Sequence, residues 1–346
     1  MWPDRRLIER LDIVHPIIQA PMAGAQGSAL AIAVCNAGGL GSLPCAMLSV
    51  DAMRAELAVI RAATRKPFNV NFFCHTPPTP NRDRQAAWRA ALAPYYKEYG
   101  IDPETAPAGP VRAPFTAEAA RVLADFRPAV VSFQFGLPES HLLKMAKDLG
   151  AKILSCATTV EEARWLEAHG VDAVIAQGLE AGGHRGNFLS DNMASQLGTF
   201  ALVPQVVRAV KVPVIAAGGI ADAKGVAAAM ALGAAGVQLG TAYLLCPEAS
   251  TSAVHRAALK SPAACRTAVT NVFSGRPARG ILNRAIQELG PMSDLVPEFP
   301  LASAAMAPLR AKAESAGRGD FSPLWCGQNP SGCREIPAGE LTRSLI

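Results

Sequence analysis

The sequence predicts an α/β chain built as a (β/α)8 barrel of the TIM type, with a long lid after strand three and a small C-terminal cap. Two observations carry this. Apolar runs of strand length alternate with helix-patterned segments over about 240 residues, and eight such runs can be counted. Their near-continuous apolarity suits parallel strands covered on both faces, which a closed barrel provides better than an open sheet.

In chain order the predicted strands are Pro16–Met22, Gly39–Leu43, Phe68–Phe73, Ala129–Phe135, Lys152–Ala157, Ala173–Gln177, Pro213–Ala217 and Gly236–Thr241. Helix starts fall between them. Thr159 followed by Glu162 reads as a capping box, and Asp222 can cap the helix after strand seven. On the segment Glu139–Leu149, Leu142, Leu143, Met145, Ala146 and Leu149 form one apolar stripe, as barrel packing requires. Between strand three and its helix, Cys74 to Thr116 is far longer than an ordinary connection and holds Pro77, Pro78, Pro80, Pro94, Pro103, Pro107, Pro110 and Pro114. It reads as a stiffened lid. Trp88, Leu92, Tyr95 and Tyr99 lie near helical spacing there, bent at Pro94, and are expected to pack the lid onto the barrel. The expected organisation is a barrel over 1–246 and 321–346, ending in a short amphipathic helix docked through Leu341 and Leu345, with a cap over 247–320 above the mouth.

Composition narrows the classes. The 33 basic and 28 acidic residues leave +5, with no basic run interleaved with aromatics, so no nucleic-acid partner is expected. The N-terminus lacks the pattern of a secretory signal, and the apolar runs are too interrupted to span a bilayer. Eight scattered cysteines without a C-x-x-C pair suit reduced, mostly buried thiols, so a cytoplasmic protein is expected, with neither disulfides nor a metal site.

In such barrels ligands lie at the C-terminal strand ends, with phosphate held after strands seven and eight. Here those ends read Ala216-Ala217-Gly218-Gly219-Ile220 and Val237-Gln238-Leu239-Gly240-Thr241. The backbone amides of Gly219, Gly240 and Thr241 could grip a phosphate; tight turns alone would also explain the glycines. The other ends carry amides: Gln19 before Ala20-Pro21-Met22, Asn71, Gln134 and Gln177. Amides donate and accept, so they could meet the mixed edge of a flat heterocycle such as isoalloxazine, with Ala20, Pro21 and Met22 along its rings; Asn71 and Gln177 could instead satisfy barrel backbone. After strand six, Gln177-Gly178-Leu179-Glu180-Ala181-Gly182-Gly183-His184-Arg185-Gly186 places an imidazole in a glycine-rich turn at the same mouth. With an ordinary pKa of about 6.5, His184 could take a proton from a mildly acidic carbon, or could merely bond to backbone. His75 could line the pocket, whereas His15, His141, His169 and His255 fall where structural or surface roles fit.

At these residues the chain resembles the nitronate monooxygenases, FMN-dependent TIM barrels, and the segment ending His184-Arg185-Gly186 resembles their class I signature. The likeness runs from Pro16–Met22 through Lys66–His75 to Trp325-Cys326-Gly327-Gln328. It implies FMN contacts from Ala20, Pro21, Met22, Asn71, Gln177, Gly182, Gly218, Gly219, Gln238, Leu239, Gly240 and Thr241, with His184 as catalytic base and Gln134 and His75 facing substrate. The implied reaction oxidises an alkyl nitronate with O2 to a carbonyl compound and nitrite, in a protein that could form a homodimer. The chain departs from the class pattern at Gln134, where Ser-Phe-His-Phe-Gly is usual, in Glu298–Ser303, which lacks tyrosines, and at Ala307, where a lysine can occur. The arginines of Ser274–Gly280 are expected to pin the cap by ion pairing. Two other readings stay open: an FMN reductase fed by NAD(P)H on the same barrel, and a flavin-free barrel that binds a phosphometabolite.

Overall fold

The computed structural model describes residues 2–102 and 112–346, so Pro103, Pro107 and Pro110 of the expected lid lie outside the described residues. Eight parallel strands form the main sheet: β1 (Ile17–Gln19), β2 (Gly41–Pro44), β3 (Phe68–Phe73), β4 (Val130–Gln134), β5 (Lys152–Ala157), β6 (Ala173–Gln177), β8 (Val214–Ala217) and β9 (Gly236–Leu239). A two-residue strand, β7 (Gly183–His184), intervenes in the chain. The order β1-β9-β8-β6-β5-β4-β3-β2 closes through a parallel bridge between Ile18 and Leu40, giving the (β/α)8 barrel.

Each strand lies where its apolar run placed it, but the first and last are shorter. Pro21 has no N–H to continue a ladder, so β1 stops at Gln19 and Ala20 N makes a last bond to Leu239 O at 2.8 Å. At the other end Gly240 turns the chain into a 3-10 helix, Thr241–Tyr243. Alternation along each strand divides the core. Ile18, Leu40, Val130, Leu154, Ile175 and Ile215 form one buried cluster with Leu7 and Leu11 of the N-terminal helix Arg6–Leu11, while Ile17, Val70, Val131 and Val174 pack with the surrounding helices. The helix Ala338–Ser344 buries Leu341, and Leu345 follows it into the same cluster as Leu30 and Val34.

Caps hold the helix starts. Asp222 accepts from Gly225 N at 2.8 Å, and Thr159 accepts from Glu162 N at 3.2 Å. The second half of the expected capping box is replaced: the Glu162 carboxylate accepts from Thr158 N and Oγ1 and, at 2.6 Å, from Phe188 N. It thereby ties down the chain just beyond His184.

The lid helix, Arg82–Glu98, runs through Pro94. Its apolar face does not cover the barrel, as expected, but joins a separate cluster in which Trp88, Leu92 and Tyr96 meet Val272, Ile286, Met306, Leu309 and Phe321. Tyr95 and Tyr99 set their rings against Phe321 at 5.2 and 5.7 Å. A three-stranded antiparallel sheet is a further element. Here β10 (Thr267–Thr270) pairs with β11 (Ala278–Ile281), and β11 pairs with β7. Among the described residues no helix is long and apolar enough to cross a membrane, and no group of three or more His, Cys, Asp and Glu side chains could hold a metal ion.

Candidate active site

The C-terminal ends of the barrel strands open into one cavity. Ala20, Pro21, Met22, Asn71, Gln134, Gln177, Gly182, His184, Gly218, Gly219, Gln238, Leu239, Gly240 and Thr241 all line it. His75 does not: its ring lies edge-on to Phe299 at 4.8 Å, beside the wall. Gln19 is absent as well, because its amide is sunk below the mouth, where its Nε2 donates to Gln26 Oε1 at 2.6 Å and its Oε1 accepts from Ser42 N at 3.0 Å.

One wall is built for close approach. Gly218 and Gly219 follow β8 with φ of +114° and +73°, a region that favours glycine. A Cβ on Gly218 would stand 2.9 Å from Thr199 Oγ1 and 3.0 Å from Ala181 N. Gly240 differs: a Cβ there would meet only Ala20 Cβ at 3.5 Å and Met22 Sδ at 3.6 Å, so protein packing does not demand glycine. The chain near 327 closes this wall, with Gly327 N donating to Thr241 Oγ1 at 2.9 Å and Asn329 Nδ2 to Gly219 O at 3.0 Å. Between the glycines, Gln238 Oε1 is buried and has no hydrogen-bond partner among the described residues. A buried acceptor left unpaired costs about 1–3 kcal/mol, so the cavity is suited to a ligand bearing a donor.

The loop that follows β6, the strand paired with β8, carries His184 to the same cavity. Gly182 packs against Cys326 and Gly327, where a Cβ would come within 2.6 Å of backbone, and His184 then pairs with Ala278 as part of β7. Its carbonyl accepts from Gln134 Nε2 at 3.2 Å and Gln177 Nε2 at 3.1 Å, and Gly186 N donates to Gln177 Oε1 at 2.8 Å. Both amide ends of Gln177 are thus occupied in holding the loop. Arg185, fully buried, donates to Gly178 O and Gln177 O, each at 2.7 Å, and to Gln196 Oε1 at 3.0 Å.

The imidazole is held by Ser274 Oγ, 2.9 Å from Nε2. That hydroxyl has one proton and lies 3.3 Å from Arg276 O; when it donates there, it must accept from Nε2–H. Nδ1 is then the basic nitrogen. Phe299, Trp325, Phe135 and Phe73 surround the ring at 5.3, 5.4, 6.1 and 6.4 Å. Burial first, then the charges of Arg112 and Arg276 and the neighbouring His75, hold the His184 pKa well below the usual imidazole value. It is a neutral imidazole at neutral pH.

The arginines near this turn act otherwise than expected. Neither Arg276 nor Arg279 makes an ion pair among the described residues. Arg279 Nε donates to Leu179 O at 2.9 Å, while Arg276 donates to Asn187 O and lies 4.2 Å over the Phe135 ring. Carbonyls and an aromatic face do the pinning. Among the cavity residues to which sequence reasoning gave no role are Arg112 and Arg310, and His255, expected in a structural or surface place, lines it as well. His255 Nε2 donates to Trp325 O at 3.1 Å, a structural tie, and burial lowers its pKa to about 4. Arg112 gave no motif to find, because it stands singly in the Pro-rich stretch. It reaches the mouth because Phe115 N bonds to Phe73 O at 2.8 Å, laying 112–115 beside the end of β3.

A sequence model of the nitronate monooxygenases matches residues 4–346, from one end of the barrel to the other. The chain belongs to the nitronate monooxygenase family. It is 44% identical to the nitronate monooxygenase of Pseudomonas aeruginosa over 349 aligned positions, covering 99% of this chain and 98% of that one. It is also 44% identical to the nitronate monooxygenase of Paraburkholderia phytofirmans, covering 99% and 94%. Among solved structures it resembles a nitroalkane oxidase from Streptomyces ansochromogenes, with TM-score 0.88, 39% identity and coverage of 98% and 96%. FabK from Thermotoga maritima agrees less closely, with TM-score 0.72 and 31% identity over 98% and 94%. As a family member the chain is an oxidoreductase, and its fold is that of the nitroalkane oxidase.

Proposed function

We propose that this nitronate monooxygenase family member uses FMN to oxidise alkyl nitronates with O2, giving a carbonyl compound and nitrite, and that His184 is its catalytic base. The observation that carries the reading is that one cavity is lined both by the glycines after β8 and β9 and by the His184 imidazole. Bound in that cavity, FMN would accept single electrons from the nitronate and pass them to O2. The residues present fit it. The glycine wall leaves room for phosphate against the amides of Gly218, Gly219, Gly240 and Thr241, and Gln238 Oε1 lacks the donor that a ring N–H would supply. Ala20, Pro21, Met22 and Leu239 would flank the rings, with Asn71 and Gly182 toward their edge and Gln177 lining the site while its amide holds the loop.

On a neutral nitroalkane, Nδ1 of His184 removes the α-proton while Ser274 holds the ring in place. An ionised nitronate has already lost that proton. The charged and titratable groups facing the imidazole are Arg112, Arg276 and His75, and all of them oppose its protonation. The direction of the shift fixes the pH dependence: the base stays unprotonated down to its lowered pKa and is lost only below it. We therefore expect kcat/KM for freshly added neutral nitroethane to stay level from about pH 7.5 through 6.5 and to fall only in stronger acid. An unperturbed imidazole would have lost half its activity by about pH 6.5. Steady-state rates across this range decide between the two.

Anaerobic mixing tests the reading as a whole. The purified protein should be yellow and should bleach with ethylnitronate but not with NADH or NADPH. Rapid bleaching by a reduced nicotinamide alone would favour the reductase reading. A colourless protein that takes up no FMN would favour the flavin-free one.

A further inference from the structure

Arg112 brings a guanidinium to the mouth of the cavity. Its Nη1 donates to Ser303 Oγ at 2.6 Å, and none of the ion pairs among the described residues includes it. Burial, with Arg310 nearby, pulls its pKa down to about 10, the mark of a cation short of water. Ser303 is buried and in turn donates to Phe273 O at 3.1 Å. The next residue, Ser274, holds His184. Guanidinium and imidazole are therefore anchored on two consecutive residues of one turn, side by side at the same cavity. His184 is neutral and has no charge to offer an anion. Guanidinium does, in a planar fork that matches two oxygens on one atom.

We infer that Arg112 receives the planar oxyanion of the substrate, its N–H donors meeting the two nitronate oxygens beside His184, so that ionised nitronates are preferred over neutral nitroalkanes. The identity of that anion rests on the proposed nitronate chemistry; the existence of an oxyanion subsite does not. Arg112 stands between prolines and acts through its place beside β3.

A carboxylate has the same planar fork and cannot be oxidised here, which separates binding from turnover. Propionate and its uncharged counterpart propionamide are titrated calorimetrically into the protein as purified with its cofactor, for wild type, Arg112→Gln and Arg112→Lys. The wild type should bind propionate at least tenfold more tightly than propionamide. Arg112→Gln should lose that preference, and Arg112→Lys, which keeps charge without the fork, should recover part of it. In parallel, KM for ethylnitronate should rise tenfold or more in Arg112→Gln, and by a larger factor than KM for nitroethane. Thermal melts of all three proteins guard against misfolding, with the lysine variant as the milder replacement. The inference is overturned if wild type binds no propionate, if acid and amide bind alike, or if Arg112→Gln binds propionate as wild type does. Nitrite release tests the nitronate reading separately: Arg112-dependent propionate binding without nitrite would leave the subsite standing and remove the reaction, and normal nitrite release with Arg112-independent binding would do the reverse.

Discussion

His184→Ala should lower turnover of neutral nitroalkanes by about 10²–10⁴-fold, the usual contribution of a positioned general base, and should depress turnover of preformed nitronates far less. The asymmetry is the informative part. Alanine removes the cavity imidazole whose Nε2 is tied to Ser274, while the glycines after β8 and β9 are untouched. The variant should therefore still be purified yellow. The backbone also keeps its hold, since Gln134 and Gln177 bond to the carbonyl of residue 184 and not to its ring. Rates with nitroethane and ethylnitronate, compared at one pH before the two forms interconvert, measure the split. Equal losses on both substrates would remove the base assignment, and no loss on either would remove His184 from the mechanism.

Gly240→Asp should empty the site of its cofactor. A Cβ at this position meets its nearest neighbours, Ala20 and Met22, at ordinary contact distance, so the barrel should accept the larger side chain without strain. The carboxylate would then stand in the wall assigned to phosphate. At about 4 Å, with an effective dielectric of about 20, two unit charges repel by about 4 kcal/mol, close to a thousandfold in affinity. Flavin content of the purified variant, read from its visible spectrum and after added FMN, checks this against Gly240→Ala, which adds the methyl alone and should keep most of its colour. Undiminished flavin in the aspartate variant would place the phosphate elsewhere.

Much of this was legible in the sequence because burial on both faces writes parallel strands as continuous apolar runs. Phe68–Phe73, Lys152–Ala157 and Ala173–Gln177 begin and end where those runs do. The glycines after β8 were readable for a related reason, since positive φ and close approach leave few alternatives to glycine. What the sequence hid is set by contacts between distant segments. The strand that carries His184 is two residues long and exists only because Ala278 and Arg279 pair with it from about 95 positions away. Gln19 and Gln177 looked alike as amides at strand ends, yet one is consumed below the mouth and the other by the loop it supports. Trp88 and Leu92 showed helical spacing but not their partners, which come from 272–321. Arg112, a single basic residue among prolines, acquires meaning only through Ser303 and the turn it shares with His184.

The central claim is that a glycine clasp and a neutral imidazole line one cavity that oxidises a nitronate. Its most direct test is to incubate the purified yellow protein with ethylnitronate in air and follow nitrite, acetaldehyde and O2 together. The account predicts that nitrite and acetaldehyde appear in equal amounts as O2 is consumed, with no nicotinamide added. A protein that holds its flavin yet releases no nitrite, while reduced nicotinamide alone bleaches it, would contradict that account.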